Sequence, residues 1–101
     1  MIRHIGLFKI KENAFGKSKS ENIDQIKCNV ENLKANIKTI KMIEVKENLH
    51  DSSNLFDDLC VFVEFDTKED YESYFNHSLH KEAAHFAASV SESVHGITYE
   101  V

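Results

Sequence analysis

Apolar and polar positions alternate along this chain in a way that divides it into six segments. Residues 2–10 read as a strand, with Ile5 and Leu7 on one face and Ile2, His4, Phe8 and Ile10 on the other. Gly6 interrupts that pleat, a common mark of close approach by another group. A polar connection over 11–20 follows. Within it, Ser18 and Glu21 have the spacing of a capping box, in which hydroxyl and carboxylate satisfy the orphan amides of a helix start. Ile23, Ile26, Val30, Leu33, Ile37 and Ile40 then recur at intervals of three and four, a narrow apolar stripe on a helix that packs against a sheet.

Residues 42–49 set Ile43, Val45 and Leu49 against Glu44, Lys46 and Asn48, a half-wet strand suited to a sheet edge. A turn-rich stretch, 50–57, leads to the most hydrophobic strand, 58–65. There Leu59, Val61, Val63 and Phe65 point one way, and Cys60 and Phe62 the other. Asp66 or Thr67 caps a second helix, with Glu69 and Asp70 placed to complement its dipole. This helix carries Tyr71, Tyr74 and Phe75 and bends near Ser78. It resumes through Lys81–Ser91, where Ala83, Ala84, Ala87 and Ala88 permit close packing. A last strand over 94–101 contains Gly96 and puts Ile97, Tyr99 and Val101 on one face.

The order β-α-β-β-α-β predicts an α+β fold: a single domain, 1–101, with a four-stranded antiparallel sheet and both helices on one face. The other face is then open. Left wet, the four-residue side of strand 58–65 would forgo roughly 6–12 kcal/mol at about 1.5–3 kcal/mol each. That is comparable to the roughly 5–15 kcal/mol that holds a whole domain together. If the helices cover that side, Cys60 and Phe62 are stranded with part of the first strand. Either way the far side of the sheet calls for a partner, and a two-fold homodimer is the commonest solution.

Composition narrows the function classes. The chain has 101 residues, 42% hydrophobic and 29% charged, with a net charge of −5, which are globular values. No basic run offers a phosphate footprint, so no nucleic-acid partner is expected. Nothing approaches a membrane span, and MIRHIGLFKI is too frequently charged for a signal peptide. Cys28 and Cys60 have no metal spacing and read as reduced thiols of a cytoplasmic protein.

Candidate chemistry rests on histidine and tyrosine. Of the six histidines, His50 and His95 receive no role, and His85 reads as a packing residue on the alanine-rich helix. Tyr74 and His77 are neighbours on a helix face, and His80 lies three residues on, where the helix breaks. His4 joins them if its side of the first strand faces the helices. Such a set supports cofactor-free acid–base work, with His80 as base and Tyr74 as donor to a developing oxyanion. The structural alternative makes Tyr74 and His77 interface or capping groups and has His80 bond a helix carbonyl. A metal reading of His77 and His80 with Glu82 is weaker, since zinc sites favour histidines four apart or a fuller ligand set. No metal and no cofactor are therefore expected. Neither a Gly-rich phosphate loop nor a nucleophile elbow is present.

Three stretches, His4-Ile-Gly-Leu-Phe-Lys9, Asp58-Leu-Cys-Val-Phe-Val-Glu-Phe65 and Tyr74-Phe-Asn-His77-Ser-Leu-His80, together resemble the stress-responsive dimeric α/β-barrel (Dabb) family in order and spacing. The resemblance spans essentially the whole chain. It implies a ferredoxin-like protomer whose sheet meets that of a second copy face to face, closing a dimeric α/β barrel. In a plant polyketide cyclase of that family, a tyrosine and a histidine of the third stretch carry an intramolecular aldol condensation. By resemblance these fall on Tyr74 and His80, and a strand-one histidine falls on His4. Two positions depart from that pattern: Ser78 stands where the family commonly has proline, and apolar Leu59 where the cyclase has a further pocket histidine.

The expectation is thus a homodimer with one pocket per subunit, built from Tyr74, His80, His4 and His77, for a small carbonyl or phenolic ligand. The competing readings are a cofactor-free cyclase or lyase-like enzyme using Tyr74 and His80, a non-enzymatic stress or interaction protein, and a dimeric-barrel monooxygenase.

Overall fold

The computed structural model describes residues 1–49 and 56–101; the expected turn at 50–57 and His50 fall largely outside them. Strand β1 (Ile2–Ile10) lies in the middle of a four-stranded sheet with the order β4-β5-β1-β6, every pair antiparallel. Here β4 is Met42–Glu47, β5 is Leu59–Phe65 and β6 is Ser91–Glu100. The expected edge position of β4 holds. A long helix, α1 (Lys19–Asn36), and two shorter ones, α2 (Lys68–Phe75) and α3 (Ser78–Ser89), cover one face of this sheet. The arrangement is ferredoxin-like.

Helix α1 begins where its capping box predicts. The Ser18 hydroxyl accepts from the Glu21 amide, and the Glu21 carboxylate accepts from the Ser18 amide. Its stripe buries Ile23, Ile26, Val30 and Leu33 against the sheet. The helix stops at Asn36, short of the stripe's end: Ile37 caps it in extended conformation, its amide donating to the Leu33 carbonyl. Ile37 and Ile40 still meet the core, but from a turn. Tertiary packing, and not helical periodicity, explains the last two members of the pattern.

The connection 11–20 holds more than a loop. Residues 13–14 and 17–18 pair as a small hairpin, β2 (Asn13–Ala14) and β3 (Lys17–Ser18), through a two-residue turn. Both turn residues, Phe15 (φ 54°) and Gly16 (φ 74°), take the left-handed conformation that such turns require.

Strand β6 starts three residues before the expected Val94, and α3 correspondingly ends before Ser91. The Val90 carbonyl accepts from the Lys11 amide and the Ser91 hydroxyl donates to Ala87, so the chain leaves the helix straight into pairing with β1. The register shifts between Lys9 and Ile10. There the Ile10 amide donates to the Asp58 carboxylate at 2.7 Å, which satisfies a buried donor at the irregularity. Leu49, expected to share the inner face of its strand, lies beyond β4 and is fully exposed.

Strand β5 settles which face the helices cover. Leu59, Val63 and Phe65 are buried on the helix side with Val61 beside them, and Cys60 and Phe62 look the other way. Cross-strand register puts Ile5, Phe62 and Ile97 in one row on the open face, with Leu7, Cys60 and His95 in the next. Ile97 is 59% exposed and Leu7 36%. An Arg3–Glu64 ion pair at 2.9 Å borders this strip.

Candidate functional site

The second helix breaks where its aromatic segment meets the histidines. Thr67 caps α2 by accepting from the Asp70 amide, which sets Tyr71, Tyr74 and Phe75 against the sheet end. Phe65 packs on Tyr71 and Tyr74, with ring centroids 5.6 and 5.0 Å apart. The helix ends at Phe75. His77 then adopts extended backbone and becomes the cap of α3, its Nδ1 accepting from the Leu79 amide at 3.1 Å. This break turns His80 back toward Tyr74, with ring centroids 4.3 Å apart.

His4, Tyr74 and His80 line one cavity of about 60 Å³ between the sheet, α1 and α3. Its remaining wall is mainly apolar, including Val61, Leu33 and the alanines of α3, which leave room because they are small. Gly6 lies on the cavity floor. A side chain there would meet the Phe8 ring at 3.1 Å, so the close approach expected at this glycine is made by Phe8. Asn29 of α1 also reaches the cavity, its Oδ1 accepting from Gln25.

Of the four expected site residues, the structure brings His4, Tyr74 and His80 together. His77 lies outside the lining and serves as a cap, since the interruption of the helix cancels its three-residue spacing from Tyr74. Asn29 was not singled out in the sequence, where it looks like any other polar residue of α1. His85, expected to pack, is exposed.

The polar atoms have defined states. His80 Nδ1 is 3.2 Å from the Phe75 carbonyl, and a carbonyl only accepts, so Nδ1 carries the proton and Nε2 keeps its lone pair. The carbonyl bond proposed as the structural alternative for His80 is therefore present, and it leaves the other nitrogen free for chemistry. Burial pushes the His80 pKa down, against the Phe75 carbonyl bond and with help from His77. Burial likewise lowers that of His4, with His80 adding to the effect. Both are neutral near pH 7. The Tyr74 phenol is pushed well up by burial and by Tyr71, so it remains a donor. Its hydroxyl has no hydrogen-bond partner among the described residues.

Comparison with known proteins places this geometry in context. A family model described as the stress-responsive A/B barrel domain matches residues 2–101. No functionally curated protein matches the chain. Among solved structures, a dimeric protein of unknown function and ferredoxin-like fold from Bacteroides fragilis is 29% identical, with TM-score 0.82 over 99% of this chain and 95% of that one. A hydroxynitrile lyase from Passiflora edulis is 18% identical, with TM-score 0.83 over 99% and 92% of the two chains. A Dabb-family protein from Mesorhizobium loti is 17% identical, with TM-score 0.75 over 99% and 95%.

Proposed function

Since the chain belongs to the stress-responsive A/B barrel domain family, we propose that it acts as a homodimer whose subunits each bind, and transform without a cofactor, a small carbonyl compound. Two copies meet through the open sheet face, covering the row of Ile5, Phe62 and Ile97. The dimeric description of the Bacteroides fragilis relative supports this assembly. Free thiols at Cys28 and Cys60 suit the cytoplasm. No helix among the described residues is long and apolar enough to cross a membrane.

One observation carries the chemical part of this reading. Tyr74 and His80 meet in an apolar cavity, one as a donor without a partner and the other as a base with a free lone pair. His80 Nε2 takes a proton from the ligand while Tyr74 donates to the oxygen on which charge develops. A cavity of about 60 Å³ favours a ligand of few atoms over a long polyketide. It falls far below the roughly 300–1,000 Å³ of sites for larger ligands.

Thermal unfolding with a panel of small aldehydes, ketones and hydroxynitriles tests the reading. At least one member raises the Tm of the wild-type protein, by the equivalent of about 2.7 kcal/mol at a hundred times its Kd. Tyr74→Phe abolishes that rise and leaves the ligand-free stability within about 0.5 kcal/mol, because no hydrogen bond is lost. A panel without effect, or an equal rise in Tyr74→Phe, refutes the chemistry.

A further inference from the structure

The antiparallel register of β1 and β6 puts Thr98 directly opposite His4, on the helix side of the sheet. Its Oγ1 lies 2.7 Å from His4 Nδ1 and 3.5 Å from Tyr71 Oη. The hydroxyl has a single proton, and these two atoms compete for it. The imidazole nitrogen is both nearer and much the stronger base, and O–H donors favour separations of about 2.7–2.8 Å. We propose that Thr98 is a positioning residue of the cavity: by donating to His4 Nδ1 it holds His4 as the Nε2–H tautomer. The Tyr71 ring, its centroid 5.9 Å from that of His4, restrains the imidazole from the helix side.

The two cavity histidines then hold their protons on opposite nitrogens. His80 keeps its proton on Nδ1, bound to the Phe75 carbonyl, and leaves Nε2 as an acceptor. His4 leaves Nε2–H as a donor. With the Tyr74 hydroxyl, the cavity contains one base and two donors, the complement of a carbonyl oxygen that gains charge as a nearby proton leaves. This consequence rests on the function proposed above. The tautomer itself does not.

Two-bond proton–nitrogen correlation spectra of the full-length, ¹⁵N-labelled protein, recorded above the histidine titration range, test the assignment. His4 is identified by the signal lost in His4→Gln. In the wild type its Nε2 carries the proton, and Nδ1 resonates as a hydrogen-bonded acceptor. Thr98→Val moves Nδ1 to the position of a free imine nitrogen, and Thr98→Ser restores the wild-type shift. A His4 proton on Nδ1, or an Nδ1 resonance unmoved in Thr98→Val, overturns the proposal. If Thr98→Val does not fold, the wild-type spectrum still decides, since it reports which nitrogen holds the proton. The spectra need no ligand. An inert carbonyl panel would therefore remove the function and leave the tautomer standing, and the reverse outcome separates the two as cleanly.

Discussion

On the side of β5 that meets the helices, Leu59, Val63 and Phe65 are at most 2% exposed. On the other side Cys60 and Phe62 keep partial contact with water, and their neighbours Leu7 and Ile97 keep more. Both sides of this strand are apolar, so hydrophobicity does not distinguish them. Chain connection does, because α1 and the α2–α3 pair both cross the same face. On β5 the gap in the covered side is at Val61, which borders the cavity. One face thus holds the core and the candidate chemistry, while the other is left for a second body.

Truncating the core side should have the largest effect. Phe65 is fully buried and packs on both Tyr71 and Tyr74, so Phe65→Ala should cost about 3–5 kcal/mol. Denaturant unfolding at constant m-value would measure it. A loss below about 1 kcal/mol would mean that the covered side is not the core.

A charge on the open side should separate assembly from folding. Phe62→Glu places a carboxylate in the middle of the apolar row, where a dimer would bury it without a partner. It should weaken association by about 3 kcal/mol or more, on the order of a hundredfold in Kd. Sedimentation should then show a folded single subunit with unchanged circular dichroism. Should the wild type itself sediment as a single subunit at micromolar concentration, the two faces would differ only in exposure, not in role.

Acid should reach the covered side through its cavity. The folded-state pKa values of His4 and His80 are both lowered, chiefly by burial. Their contribution to stability is complete above the ordinary histidine pKa and falls away as the pH drops through it toward the folded values, because the unfolded chain binds protons more readily. Chemical denaturation between pH 8 and pH 5 should show that decline. A variant with glutamine at both positions, His4→Gln with His80→Gln, should flatten it.

How much of this was legible beforehand depends on the range of the interaction involved. Strand β5, the capping box at Ser18 and the existence of a break near Ser78 follow from residues close in sequence, and a local pattern records them, although the helix already ends at Phe75. The helix stop at Asn36 and the early start of β6 depend on distant partners, the sheet and Lys11, that no local window contains. Within the site, His4, Tyr74 and His80 were visible as residue types at suggestive spacings. His77 was misplaced because its spacing from Tyr74 assumed an unbroken helix. Asn29 and Thr98 were invisible for a different reason: one is an ordinary polar residue of an amphipathic helix, and the other gains its neighbour only from the β1–β6 register.

The smallest effect concerns how firmly α1 is held over the covered face. Ser18→Ala removes both hydrogen bonds made by the hydroxyl, leaving the Glu21 amide without its acceptor and the Glu21 carboxylate with only the backbone donor. The Glu21 carboxyl is held below its usual range first by the Ser18 backbone amide and then by the hydroxyl, so part of that anchoring survives the substitution. The loss should be about 1 kcal/mol, the middle of the range for such caps. Because α1 supplies Ile26, Val30 and Leu33 to the cavity wall, amide exchange in the first turn of α1 should speed up while the buried centre of β5 stays protected. Equal acceleration in both would show that the helix and the sheet beneath it open as one unit, and that covered and open faces share a single cooperative fold.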